Sequence, residues 1–414
     1  MSKIRDIKAR EILDSRGNPT IEVELTTDSG VFIDSVPSGA STGKREAIEL
    51  RDNDSRFGGK GVERAVYNVE NTIKEAVKGM TVNSQNDVDT VMIDLDGTEK
   101  KSKLGANAIM AVSLAVARAK AKDEKQELFQ RIKDISGREL KMPCPCFNVL
   151  NGGKHAGNDL AFQEFMIAFE GFPFKEQLRR ASEMYHKLKE IIEEKYGKNA
   201  VNVGDEGGFA PPISKPEEAL DLIVETAKEL GFIEDLGIFL DVAASSFFDK
   251  AKNRYLVDSK ELDRGELIEY YQKLCSRYPI KSIEDPLDED DFEGFKIFNQ
   301  TMNGNLMIVG DDLTTTNIKY IEKAYDLNSI NALLLKINQI GTVSEAIEAV
   351  NLIKTYNWKV MVSHRSGETT DDFIADFAVG VGADYIKSGA PARGERVVKY
   401  NRLLKIEELL NENR

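Results

Sequence analysis

A chain of 414 residues that is 41% hydrophobic and 30% charged is too long for one small domain and carries enough apolar side chains for a substantial core. Its formal net charge of −14 repels nucleic-acid backbones and anionic lipid, so no nucleic-acid partner is expected, and an anionic substrate would need a local cluster of cations or metal ions. No run approaches about 18 uncharged apolar residues, no apolar stretch follows the charged start, and the three cysteines (Cys144, Cys146, Cys275) can neither staple a fold of this size nor complete a zinc site. The reading is a soluble cytoplasmic protein, bound to no membrane, with its thiols packed in a reducing compartment.

The first third reads as a small α+β unit. Residues 20–25 alternate strictly between apolar and polar, as a half-buried strand does. Residues 4–12 and 31–36 read as two more strands, separated by turns at 15–19 and at Ser29-Gly30. Helical patterns follow at 61–78 and 105–122, the second so rich in small and apolar residues that it reads as buried. A polar stretch at 121–140 reads as a linker. This places an N-terminal α+β domain at 1–128 and a second domain at 138–414.

The rest has another rhythm. Six short apolar runs each end in a charged or imidazole side chain, at Asp241, Glu284, Asp311, Lys336, His364 and Lys387, spaced 23–43 residues apart. Helical patterns lie between them, for example at 342–356 and 370–380. Such alternation indicates a parallel sheet. Six units in a segment of this size favour a (β/α) barrel, whose strand ends all point to one face, over an open doubly wound sheet, which would spread those six residues along an edge.

Three carboxylates at successive strand ends suit a hard cation such as Mg²⁺, which takes oxygen ligands. The bland alternative is that each acid only caps the helix after it. Lys336 and Lys387 end otherwise apolar strands. Burial, a bound dication and a neighbouring ammonium each disfavour a charged lysine, so a neutral lysine base is feasible on such a face. His155 lies in a glycine-rich loop, Asn151-Gly152-Gly153-Lys154-His155. The stretch 38–44 is not a phosphate-binding P-loop, because three residues rather than four separate Gly39 from Gly43. It reads instead as a flexible lid carrying Ser41. Together these features describe a metal-assisted removal of a proton from carbon next to a carboxylate.

Longer motifs carry a resemblance. They include residues 10–20, 38–43 and 103–108, Gln163-Glu164-Phe165-Met166-Ile167, Gly204-Asp205-Glu206-Gly207-Gly208, Ile283-Glu284-Asp285-Pro286, residues 335–342, and Ser363-His364-Arg365-Ser366-Gly367-Glu368-Thr369. In this order, nearly end to end, the chain resembles the enolase family.

The resemblance implies an α/β fold, an irregular (β/α)8 TIM-like barrel behind a smaller α+β N-terminal domain, with the second barrel strand antiparallel. That would explain why Glu164 precedes its strand while the other acids follow theirs. It implies a lyase, phosphopyruvate hydratase, interconverting 2-phospho-D-glycerate and phosphoenolpyruvate in glycolysis and gluconeogenesis, as a homodimer or higher homo-oligomer. A lysine or histidine base with one or two Mg²⁺ is the established pattern of the superfamily, not a result of the spacing. By position, Lys336 would take the C2 proton, and Asp241, Glu284 and Asp311 would hold one Mg²⁺. Ser41 would join a second Mg²⁺, and Glu206 with Glu164 would protonate the departing hydroxyl. Arg365 and Ser366 would bind the phosphate, while His155, Gln163, Glu164, Ser363, His364 and Lys387 would line the substrate. The chain departs from the family pattern at Ser246, over 121–146 and near 249–256, none of them a proposed catalytic position. Relatives that lactonise or racemise other carboxylates lack the phosphate motif, and a non-catalytic descendant would be free to lose ligands.

Overall fold

The computed structural model describes residues 2–40 and 43–412. It opens with an antiparallel meander of β1 (Ile4–Leu13), β2 (Pro19–Thr27) and β3 (Gly30–Ser35). In β2, Ile21, Val23 and Leu25 are buried, while Glu22 on the other face takes Arg10 at 2.6 Å. This is the two-residue period of a sheet with one wet face. The dry face packs on the helix Ala106–Asp123, most of which is buried. Its alanines at 106, 108, 111, 115, 117, 119 and 121 let the sheet and the later helices Ile337–Ile340 and Val343–Thr355 approach it from several sides. The helix expected over 61–78 is interrupted: a π-helical segment, Asn68–Ile73, separates Glu63–Tyr67 from Lys74–Val77. A helix at Gln85–Asp96, capped by Ser84, was not legible as a separate element.

The stretch 121–140 is not a plain linker. It holds a helix, Leu128–Ser136, with a capping box made by Glu127 and Gln130. Leu128, Phe129 and Ile132 are buried and this helix packs on a later one, Phe373–Gly380. Three apolar side chains on one stripe of a nine-residue helix are enough to dock it, and the lysines, arginines and acids around them hide that stripe.

Eleven further strands follow: β4 (Cys144–Asn151), β5 (Glu164–Ala168), β6 (Gly237–Asp241), β7 (Phe248–Asp249), β8 (Arg254–Val257), β9 (Lys260–Leu262), β10 (Ile280–Glu284), β11 (Met307–Gly310), β12 (Ala332–Leu335), β13 (Lys359–Ser363) and β14 (Tyr385–Lys387). The short β7, β8 and β9 form a separate small sheet, and the other eight close into a barrel. All six apolar runs are barrel strands. The parallel pairing of β14 with β4 closes the cylinder and excludes an open sheet. β5 alone is reversed, antiparallel to both β4 and β6.

The barrel has two cores. Cys146, Met166, Phe239, Val309, Leu334 and Met361 are among those filling its lumen. Their chain neighbours, such as Phe165, Leu240, Ile308, Leu335 and Val362, pack outward under the helices. A closed sheet imposes this split, since side chains alternate between its two faces. No helix among the described residues is long and apolar enough to cross a membrane.

Gly380 fixes the contact between helices 128–136 and 373–380. A Cβ there would lie 2.6 Å from Ile132 Cγ2 and 2.7 Å from the Phe129 carbonyl oxygen. Gly380→Ala should therefore lower stability by about 1–3 kcal/mol through overpacking. Urea unfolding at unchanged m-value checks this.

Candidate active site

The lumen phase of each strand, carried past its last apolar residue, delivers the site. Asp241 lies two residues after Phe239, Asp311 two after Val309, Lys336 two after Leu334, Ser363 two after Met361 and Lys387 two after Tyr385. Because β5 runs backwards, its mouth residue comes first, and Glu164 precedes Met166 by two. One pocket is lined by His155, Gln163, Glu164, Glu206, Asp241, Asp311, Lys336, Ser363, His364, Arg365, Ser366 and Lys387. Glu284 is outside that lining set but is tied to it through Lys387. Ser41 lies outside the described residues.

Lys387 is the hub. Its Nζ lies 2.9 Å from Glu284 Oε2, 3.3 Å from Asp241 Oδ2 and 3.5 Å from Glu164 Oε1. Burial disfavours the ammonium, but attraction to Glu164, Glu284 and Asp241 outweighs it and holds the lysine pKa well above its ordinary value. Burial and the neighbouring Asp241 in turn push Glu284 well up. Gln163 Nε2 donates to Asp241 Oδ2 at 3.3 Å.

Lys336 Nζ donates to Asp311 Oδ2 at 2.5 Å. Burial alone would favour the neutral amine, but Asp311 more than offsets it and the net shift is upward. The Asp311 partner thus opposes the neutral form that burial and the neighbouring Lys387 favour. Asp311 is correspondingly lowered: burial opposes ionisation, and Lys336 and Lys387 overcome it. Gln339 Nε2 donates to the other Asp311 oxygen at 2.8 Å. Asp285 accepts the backbone N–H groups of Asp311 and Asp312 at 3.0 and 2.8 Å, and burial with repulsion from Asp311 lifts Asp312 to about 8.

The third group pairs two glutamates with two histidines. Glu164 and Glu206 interact directly, and burial plus the charge of Glu206 pushes Glu164 well up. Glu206 goes the other way. Burial would raise it, but attraction to His364 and His155 and a hydrogen bond from His364 pull it well below the ordinary carboxylate value. Asn148 Nδ2 donates to Glu206 Oε2 at 3.1 Å, and His364 Nε2 lies 3.3 Å from the same oxygen. His155 Nδ1 is 3.6 Å from Glu206 and 3.7 Å from Glu164. Burial lowers both histidines, His364 to about 4, against the opposing pull of Glu206.

At the rim, Arg365 donates to Glu46 at 2.9 and 3.3 Å and to Asn338 at 3.0 Å. Ser366 Oγ accepts the Ala40 N–H at 2.7 Å, and Ser363 Oγ donates to the His364 carbonyl at 2.9 Å. The N-terminal unit thus forms part of the mouth, pinned by the reciprocal bonds Ser38 N to Gly367 O at 2.7 Å and Gly367 N to Ser38 O at 2.8 Å. Sequence reasoning missed Glu46, Asn148, Asp285, Asp312, Gln339 and Arg396. Asp285 and Asp312 adjoin predicted ligands, which is a usable signal. Arg396 and Glu46 reach the site from distant elements and leave no local trace.

Two groups bring ligand atoms within 4.8 Å of one another: His155, Glu164 and Glu206, and Asp285, Asp311 and Asp312. Asp241 and Glu284 share Lys387 instead. The donors are almost all carboxylate oxygens, and the buried Glu164 Oε2, Asn148 Oδ1 and Asn151 Oδ1 have no hydrogen-bond partner among the described residues. Surplus buried anionic oxygen with no thiolate in the pocket fits a hard cation.

A family model described as the enolase C-terminal TIM barrel domain matches residues 139–414, and one for the enolase N-terminal domain matches residues 4–132. The chain is 54% identical over 411 residues to an enolase of Thermococcus gammatolerans, covering 99% of this chain and 95% of that protein. It is 53% identical to an enolase of Methanocaldococcus jannaschii, covering 99% and 96%. It is also 53% identical to enolase B of Dictyostelium discoideum, covering 98% and 95%.

Removing the hub leaves buried anions unpaired. In chelator, Lys387→Met should destabilise the protein by about 3–5 kcal/mol. The uncompensated carboxylates would bind protons more tightly folded than unfolded, so the variant's deficit should grow as pH rises. Denaturant unfolding at acidic and alkaline pH reads both effects.

Proposed function

The chain belongs to the enolase family, and on that premise we propose that it is a lyase that reversibly dehydrates 2-phospho-D-glycerate to phosphoenolpyruvate, a step of glycolysis and gluconeogenesis. The observation that carries this reading is a single buried chamber in which a lysine, the adjacent carboxyl groups of Glu164 and Glu206 and a guanidinium fork converge with surplus acidic oxygen.

The reaction needs a base at C2, an acid at the C3 hydroxyl and a grip on the phosphate. Lys336 Nζ takes the C2 proton, which requires that its present Asp311 partner be engaged elsewhere. Asp241, Glu284 and Asp311 would hold one Mg²⁺ and Ser41 would join a second, and bound there they would supply Lewis-acid neutralisation of the negative charge that develops on the substrate carboxylate. Hydroxide is a poor leaving group, so the C3 oxygen must be protonated as it departs. The opposite shifts of Glu164 and Glu206 support a pair that holds one proton between them, Glu164 as the acid and Glu206 as the carboxylate. That pair delivers the proton to the C3 oxygen. Arg365 and Ser366 bind the phosphate. The two-point grip of Arg365 on Glu46 suits it, because a guanidinium fork that matches a carboxylate also matches a phosphate. His155, Gln163, Ser363, His364 and Lys387 line the substrate. The net charge of −14 gives distant surfaces no attraction for this anion, so capture falls to these local cations. We take the enzyme to work in the cytoplasm as a homodimer or higher homo-oligomer, with an N-terminal domain over 1–128 and the barrel domain over 138–414.

Supplied with 2-phosphoglycerate and Mg²⁺, the protein should generate the ultraviolet absorbance of the enol product and lose that activity in chelator. Inactivity that chelator does not alter would remove the proposal. Lys336→Ala should abolish exchange of the C2 proton with solvent, and retained exchange would assign the base to another group. Glu206→Gln should slow dehydration about 10²–10⁴-fold while sparing much of the exchange, as solvent-label uptake by recovered substrate would measure.

A further inference from the structure

We propose that Arg396 is a positioning residue for this site: it sets the tautomer of His364, so that the ring presents Nε2–H to the Glu206 carboxylate. Arg396 lies on the last helix, Gly394–Glu412, and its side chain is fully buried. Its Nη1 is 2.7 Å from His364 Nδ1. A guanidinium has donors and no acceptor, so Nδ1 must offer its lone pair. A neutral ring then carries its proton on Nε2, the atom that faces Glu206 Oε2 at 3.3 Å. The opposite tautomer would set an N–H against the guanidinium and a bare nitrogen against the carboxylate, turning two attractions into two repulsions.

The guanidinium cannot swing away. Nη1 also donates to the Arg365 carbonyl at 2.7 Å, and Nη2 donates to the Ser366 and Asp205 carbonyls at 2.6 and 3.1 Å. One planar group therefore holds the backbone beside Glu206, the backbone of the phosphate-binding pair and the histidine between them. Gly389 makes room for it, since a Cβ there would lie 2.9 Å from Arg396 Cδ. Lysine offers one compact donor head and could hold Nδ1 or the carbonyls, but not all of them.

The effect on catalysis rests on the reading of Glu206 as part of the proton-delivering pair; the tautomer does not. The test is nitrogen NMR of the full-length protein labelled with ¹⁵N-histidine, whose only other histidines are His155 and His186. In the wild type His364 should be protonated on Nε2 alone. In Arg396→Met the proton should move largely to Nδ1 or divide between the two nitrogens, with Arg396→Lys in between. Dehydration should fall about 10²-fold in Arg396→Met, the scale of a misplaced catalytic group, with C2 exchange reduced only a few-fold and dehydration partly recovered in Arg396→Lys. A wild-type ring protonated on Nδ1 would overturn the inference with no variant needed. So would a folded Arg396→Met, or Arg396→Ala if the former does not fold, whose His364 tautomer matches the wild type. If the tautomer results hold but 2-phosphoglycerate is not turned over, the proposed function fails and the role of Arg396 stands.

Discussion

Carboxylates do not gather inside a protein unless something cationic holds them there. Glu164, Asp241 and Glu284 converge on the ammonium of Lys387, Asp311 leans on Lys336, and Glu206 is steadied by His364 and by Asn148. Each group would shed its charge if buried alone. Together they form a lattice of opposite signs in which acids outnumber lysines. The surplus is what makes the chamber receptive to added positive charge, and it explains why some of its acids are driven up and others down within a few ångströms.

Strand periodicity made this lattice legible in advance. A strand that fills the lumen with Leu334 must aim Lys336 the same way, and the same count gives Asp241, Asp311 and Lys387. Other parts could not be counted. Glu164 enters from a reversed strand, so its position made sense only through the resemblance, and Glu206 comes from a loop with no period at all. Leu128–Ser136 passed for a linker because its docking stripe is three side chains wide. The ion pair of Lys336 with Asp311 was hidden for a different reason. Burial can be inferred from a run of leucines, but a partner at 2.5 Å is a matter of tertiary placement, and the partner decides the sign.

The N-terminal unit reaches the site through one carboxylate. Glu46, from the chain just after β3, engages both nitrogens of the Arg365 fork, accepts the Gly43 N–H at 2.9 Å and takes Gln339 Nε2 at 3.3 Å. Gln339 in turn touches Asp311. A single carboxylate outside the barrel thus joins the rim, the Arg365 guanidinium and the acid beside Lys336. The barrel and the smaller unit share one hydrogen-bonded network, and neither holds a complete site.

The reversal of β5 has a geometric consequence. In a parallel pair, neighbouring residues are offset along the strand, whereas in an antiparallel pair they stand directly opposite. Glu164 and Asp241 are cross-strand partners in that register, so two acidic side chains face each other across a distance set by the sheet itself, where two like charges would ordinarily destabilise a ladder. The interval between the wall carrying Glu164 and the wall carrying Asp241 is therefore ruled by backbone spacing and not by side-chain reach. Point substitutions can change what stands on either wall, but the gap between the walls can be altered only by slipping a whole strand, which would turn every lumen residue of β5 outward.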